Sequence, residues 1–295
     1  MSASLPQFTL GALDLSPVLP GGTPVDAIQT TLQTAPVLEG FGYSRYWLAE
    51  HHGPFVSHSS PELLVPVLAG LTKKMRVGVA GILLRLHSPL KVAKNFRLLQ
   101  ALYPGRVDLG IARATTKPEQ EVLLRDGNRC EVSFENKVGE LVSFMRENPG
   151  EFANPQNIPQ PQIWMLGSNT TSMRLATVYG TSFCYAAFLA PKGDPAGVLH
   201  AYRAEFMPSA DLPEPQCSIA VAGICASTDA RAVELLGDEY PVGAWPGVVG
   251  SQETCARILR TLHQNTGVTE FIFLDMCLRT EDKVESYRLL AEALL

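Results

Sequence analysis

The chain has 295 residues, 46% hydrophobic and 18% charged, with a formal net charge of −5. That balance supports a sizeable core and an ordinary globular class, and it argues against broad binding to a nucleic-acid backbone. The opening MSASLPQFTLGALDLSP has no basic stretch before an apolar core, and no apolar run approaches the roughly 18 residues of a membrane span, so neither a signal peptide nor a membrane helix is expected.

In chain order, short β-rich apolar runs alternate with segments of helical period. FTLGALDLS (8–16) reads as a first strand, and 24–42 as a helix with Thr23 as N-cap and Pro24 in its first turn. SRYWLAE (44–50) is a second strand, 61–74 a helix despite an internal proline, and MRVGVAGILL (75–84) a third strand. A helix over 88–105 opens with Ser88 and Pro89, and VDLGIA (107–112) is the fourth strand. A longer polar segment, 114–158, carries a helix near 132–147, and the Pro-rich FANPQNIPQPQ (152–162) reads as a loop within one domain. QIWMLGS (162–168), SFCYAAF (182–188), CSIAVAGIC (217–225) and TEFIFLDMCL (269–278) are the remaining strands. Helices follow them at 169–180, near 194–206, at 227–240 and 251–267, and at 281–295.

Eight strand-like runs separated by helices are what a (β/α)8 TIM barrel requires, as a single domain over 1–295. Their almost wholly apolar character fits parallel strands buried on both faces. The competing doubly wound sheet would need a glycine-rich phosphate turn after the first strand, and LDLSPVLPGGTP lacks one. Six cysteines (Cys130, Cys184, Cys217, Cys225, Cys255 and Cys277) are scattered without C-x-x-C, which points to a reduced, cytoplasmic setting and away from structural zinc.

Catalysis in such a barrel belongs to the C-terminal ends of the strands. There the sequence places Glu50-His51-His52, Arg85 and His87, Arg113, and Gly167-Ser168-Asn169. Adjacent residues on a strand point to opposite faces, so His51 and His52 are poor joint ligands and no metal site is expected. A histidine titrates near neutrality and can exchange a proton or a hydrogen bond with substrate, with Glu50 to orient it. Arg113 reads either as a loop salt bridge or as an anion ligand, since guanidinium matches phosphate oxygens. GSNTTS (167–172) reads either as a simple N-cap or as a helix N-terminus that attracts phosphate. The fourth and fifth strands are neighbours, so Arg113 and this turn can share one phosphate.

Over about residues 8–225 and 245–294 the chain resembles the luciferase-like flavin monooxygenases, closest to their single-chain alkanal-monooxygenase-like branch. The resemblance rests on YWLAEHH, on VGVAGILLRLHSPLKVAKNFRLLQALYPGRVDLGIAR and on WMLGSNTTSMRLA. It implies reduced FMN delivered by a separate flavin reductase, O2, a small organic substrate and a homodimer in the cytoplasm, without nucleic acid or membrane. It implies His51 as the catalytic histidine, with Glu50 and His87 beside it. Arg113 would hold the FMN phosphate, with Gly167, Ser168, Asn169 and Ser172 as the turn that completes the site. Ala80-Gly81 matches a position of a non-prolyl cis peptide beneath the flavin, and Asp14 to Ser16 would lie near the ring or substrate.

The chain also departs from the pattern. Relatives often read LPNHSP where this chain has LLRLHSP, placing Arg85 and Leu86 in the motif, and ATTKPEQ replaces a glycine-rich turn after Arg113. About 24 residues separate the seventh strand from the helix at Ser251, where relatives carry a longer segment. These departures leave alternatives: a non-catalytic flavin-binding or partner protein of the same fold, or a barrel enzyme using a deazaflavin or no flavin.

Overall fold

A computed structural model describes residues 7–125, 132–146, 154–237 and 244–295. Cys130, the last residue of the helix predicted near 132–147, the first two residues of the 152–162 loop and the end of the helix predicted over 227–240 lie outside the described residues. The strands are β1 (Thr9–Asp14), β2 (Arg45–Leu48), β3 (Arg76–Leu83), β4 (Val107–Ala112), β5 (Gln162–Gly167), β6 (Ser182–Ala186), β7 (Cys217–Ala226), β8 (Pro246–Ser251) and β9 (Glu270–Asp275). All pair in parallel. β1 to β7 pair in chain order, and β7–β9 and β9–β1 pairings close an eight-stranded barrel. The fold class expected from the sequence is therefore the one observed.

The ninth strand is a correction to the eight expected. Ala222 and Gly223 pair with both β8 and β9, so β8 must use the other edge of β7, above the segment paired with β6. β8 thus fills the gap between the upper ends of β6 and β7, and Trp245 N–H donates to the Phe188 carbonyl at 2.8 Å just before it starts.

The helices are α1 (Pro24–Gly40), α2 (Val65–Leu71), α3 (Pro89–Leu102), α4 (Pro118–Leu124), α5 (Phe134–Arg146), α6 (Thr170–Val178), α7 (Pro195–Glu205), α8 (Asp229–Leu236), α9 (Gln252–Thr266) and α10 (Thr280–Leu294). Thr23, Ser88 and Ser251 cap α1, α3 and α9 as their sequences predict. The helix expected over 61–74 breaks into a 3-10 turn, Pro61–Leu63, and α2. Pro66 explains the break: it has no N–H to donate and fits only a first turn.

Two apolar cores follow from the strand pleat. One lies between barrel and helices and includes Leu10, Tyr46, Val77 and Phe273; the other fills the barrel and includes Leu13, Trp47, Trp164, Ile272 and Leu274. Alternation along β1 turns Leu13 and Leu15 inward, so Asp14 must face outward.

Candidate active site

The C-terminal mouth of the barrel holds a cavity of about 350 Å³. Its floor is apolar, built by inward-facing Leu13, Trp47, Ala80, Leu166, Ile272 and Leu274. Below it Trp47 and Trp164 pack edge to face at 5.2 Å between ring centroids, and the Arg45 guanidinium lies 4.8 Å from the Trp164 ring centre. The polar residues sit in two groups on the rim.

The first group follows β2. Glu50 is buried, and Oε2 accepts the Leu83 N–H at 2.8 Å. Oε1 lies 2.8 Å from both His52 Nε2 and His87 Nε2. Burial would raise the Glu50 carboxyl, but the His87 hydrogen bond and charge, the Leu83 amide and His52 outweigh it and hold it below its ordinary value. Burial likewise opposes the charge on His87, yet its bond to Glu50 and that carboxylate's charge win and raise it. His51 differs. It lines the cavity, is exposed at the mouth and makes no hydrogen bond among the described residues. Crowding by the surrounding protein and the neighbouring His52 lower its pKa against the pull of Glu50, which favours the neutral ring at pH 7.

The second group joins β4 and β5. Arg113 lines the cavity, is exposed, and has no hydrogen bond or ion pair among the described residues. Ser168, Asn169 and Ser172 stand at the start of α6. Asn169 Oδ1 accepts the Ser172 N–H at 3.1 Å, which leaves the Thr170 and Thr171 N–H groups without an intrahelical acceptor. Gly167 is required here: a Cβ would fall 2.3 Å from Ser172 Oγ. Its absence lets the helix start press against the strand end.

The cavity thus brings together Glu50, His51, Ala80, Gly81, Arg113, Gly167, Ser168, Asn169 and Ser172, and the Ala80–Gly81 peptide is cis. Two expected residues lie elsewhere. Asp14 faces α1 and α10, where its carboxylate accepts from Tyr46 Oη at 2.6 Å, Thr31 Oγ1 at 2.8 Å and Lys283 Nζ at 3.1 Å. His87 stands behind Glu50 and is not among the cavity-lining residues. Glu50 orients His52 and His87, not His51. Among the described residues no group of three or more His, Cys, Asp and Glu side chains is placed to hold a metal ion. No helix among them is long and apolar enough to cross a membrane. Trp47 on the floor and Phe188, Leu189 and Ala244 on the wall escaped the sequence reading. Period-2 counting from Arg45 would have found Trp47; the others stand on connections with no period to read.

The fold class is a parallel (β/α)8 barrel whose mouth, among the described residues, holds an apolar-floored cup with the unpaired Arg113 on its rim. The model of the luciferase-like monooxygenases matches residues 8–245, and the chain belongs to that family. YwcH of Bacillus subtilis (strain 168) is 31% identical over 97% of this chain and 98% of its own. Their alignment spans 329 positions, more than this chain's 295 residues, so YwcH carries segments this chain lacks. The crystal structure of apo-MsnO8 is 31% identical with a TM-score of 0.87, covering 98% of both chains. At 17% identity and a TM-score of 0.76, the fold is shared with the oxygenating constituent of 3,6-diketocamphane monooxygenase from Pseudomonas putida, solved with FMN, over 97% of each chain. At 13% identity and a TM-score of 0.68, it is also the fold of an F420-dependent secondary alcohol dehydrogenase, over 98% of this chain and all of that one.

Proposed function

We propose that the protein is a monooxygenase that uses reduced FMN and O2 to oxygenate a small organic substrate. The observation that carries this reading is the Arg113 guanidinium, unpartnered among the described residues, on the same cavity rim as the open N-terminus of α6, above an apolar floor. A phosphate fits that chemistry: a free bidentate cation, hydroxyls and amide donors meet at one wall. A flat, weakly polar ring fits the floor of Leu13, Trp47, Ala80 and Leu166, with Gly81 below, where a Cβ would fall 2.7 Å from Leu166. Arg113, Ser168, Asn169 and Ser172 would therefore hold the phosphate, and the floor the ring. When bound, reduced FMN supplies the two electrons that activate O2, one oxygen atom entering the substrate and the other leaving as water.

The chain's own contribution is position, dryness and proton handling. The apolar walls exclude water from the reacting region. His51, favoured in its neutral form, can accept a proton from substrate or donate its ring N–H to a developing oxyanion. Glu50 is saturated by three partners and stays a buried anion, so it holds structure and does not compete for the substrate. With Glu50 saturated and Arg113 assigned to the phosphate, the cavity offers no further free charge among the described residues. The substrate is accordingly a neutral, largely apolar molecule resting against Phe188 and Leu189.

The same reading includes a separate flavin reductase, a cytoplasmic setting and a homodimer. Leu63, Val67 and Leu71 are exposed at four-residue spacing on the 61–71 segment, and Leu98 and Leu102 on α3. Such a row of uncovered apolar side chains suits a self-complementary contact.

The test is an anaerobic titration with photoreduced FMN, beside reduced riboflavin and a reduced deazaflavin. Saturable binding that prefers FMN, followed by oxygen uptake that rises with an added apolar substrate, is expected. Binding of none of the three overturns the flavin reading. Stoichiometric FMN binding without oxygen uptake establishes a flavin-binding protein instead.

A further inference from the structure

Lys137 lies on α5, outside the cavity, yet all three of its donors are directed at one short turn. Nζ is 2.9 Å from the Arg85 carbonyl, 2.9 Å from the His87 carbonyl and 3.3 Å from the Leu84 carbonyl. An ammonium has three N–H groups, so this one is filled by three convergent acceptors. Arg125 Nε adds a fourth donor, 3.1 Å from the Arg85 carbonyl. Leu84 and Leu86 are buried and anchor the turn by their side chains, but its own backbone closure is slight. It is a single 3-10 turn, Leu84–Leu86, closed by His87 N–H to the Leu84 carbonyl at 3.3 Å, and it contains no proline.

What the turn carries is the support of the rim. Leu83 N–H and His87 Nε2 grip the two oxygens of Glu50 from either side of it. Glu50 in turn holds His52 and sets the end of β2, from which His51 projects. We propose that Lys137 is a positioning residue of the site: its ammonium staples the Leu84–His87 turn and thereby fixes His87 on Glu50 and the histidine pair at the rim. This rests on the active-site reading above, though its test does not. Lysine suits the task better than arginine. Its three donors radiate from one atom onto three carbonyls, whereas a planar guanidinium presents a fork.

The groups facing His87 are Glu50 and His52 from the end of β2, Glu62 from the turn before α2, and Lys137 from α5. The positive charge of Lys137 by itself depresses the His87 pKa, while the bond to Glu50 raises it. A staple and a mere nearby charge therefore predict opposite outcomes. The experiment is an NMR pH titration of histidine Cε1 signals in the full chain, with His87 assigned through His87→Gln. Lys137→Met should lower the His87 pKa by on the order of half a unit or more, as the turn drifts and the Glu50 bond lengthens. A rise, or no change, overturns the proposal. Lys137→Arg retains the charge, so a charge-only role leaves His87 unmoved, whereas the staple predicts a smaller fall. That variant alone decides the matter if the methionine variant does not fold. In the FMN-loaded protein, Lys137→Met should keep phosphate affinity within about twofold, because Arg113 stands on another wall, and lose about tenfold in coupled turnover through misplacement of the rim. Failure of the wild-type protein to bind FMN would reject the flavin reading while the His87 titration still reports on the staple.

Discussion

At the N-terminal end of the barrel, Arg45 and Arg76 both grip Asp108, and Trp47 Nε1 donates to the same carboxylate at 2.8 Å. Arg45 also reaches Glu270 at 2.9 Å and Gln162 at 3.3 Å. At the other end, among the described residues, Arg113 grips nothing and His51 makes no hydrogen bond. The two ends use similar groups to opposite purposes. Below, although Arg45, Arg76 and Gln162 also line a cavity of about 470 Å³, the charges of this cluster are neutralised and hydrogen-bonded by one another, as burial demands. Above, a cation and an imidazole stand ready for a molecule the chain does not itself supply. Polar residues that are saturated hold the barrel, and those left unsaturated at the upper cavity are the ones to which the proposed chemistry is assigned.

The largest effect should come from breaking the lower end. Asp108→Ala leaves the Trp47 indole N–H without its acceptor, reduces the buried Arg45 to Glu270 and Gln162 and takes the carboxylate from Arg76, and a broken buried pair costs about 3–5 kcal/mol. Urea unfolding should show that loss, with flavin binding surviving in whatever fraction stays folded. The same measurement on Arg113→Ala should show a change within about 0.5 kcal/mol, since an exposed, unpaired side chain contributes little. Equal losses at the two ends would erase the contrast.

Next comes the upper end judged by chemistry. His51→Ala should leave the fold and FMN affinity intact and reduce coupled turnover by about a hundredfold or more, the usual scale of a lost acid–base group. Unchanged product yield would remove His51 from the chemistry. Arg113→Ala should weaken FMN by roughly tenfold to a hundredfold, the worth of a charge-assisted contact, and leave riboflavin unaffected. Comparing the two flavins isolates the phosphate, and equal losses would reject the assignment.

These contrasts were only partly legible in the sequence. The eight barrel strands were, because strands buried on both faces read as unbroken apolar runs. β8 was not. PGVVGS is short, glycine-rich and half-exposed, and it pairs with only the upper half of β7. α4 was not either, since it buries no residue and so has no apolar period. Arg113 and the 167–172 turn could be paired because β4 and β5 are neighbours. Asp14 was drawn into the site by the family resemblance, although the pleat that turns Leu13 inward turns Asp14 out. His87 was set beside Glu50 by the family resemblance and not by the pattern of the residues. His87 arrives from 37 residues away through an irregular turn, and neither periodicity nor spacing specifies such a geometry.

The smallest effect concerns the Glu50–His87 pair, which sits between the two kinds of behaviour: saturated like the lower end, yet behind the rim. Glu50 is held below its ordinary value, so its contribution is present above the unfolded carboxyl pKa and is lost as pH falls through the lowered folded value. His87 is raised, so its contribution is full below the unfolded histidine pKa and is lost as pH rises through the raised folded value. The pair is therefore complete only between the ordinary values of about 4.3 for Glu and about 6.5 for His, and weakens on either side. With the His87 ring partly exposed, the increment should be about 1 kcal/mol or less. Urea midpoints from pH 4 to 9 would reveal it as the difference between wild type and His87→Gln, largest near pH 5–6 and fading toward pH 9 as the imidazolium deprotonates. A difference that persisted undiminished at pH 9 would mean that His87 holds Glu50 as a neutral hydrogen-bond donor, and that the support of the rim is indifferent to its charge.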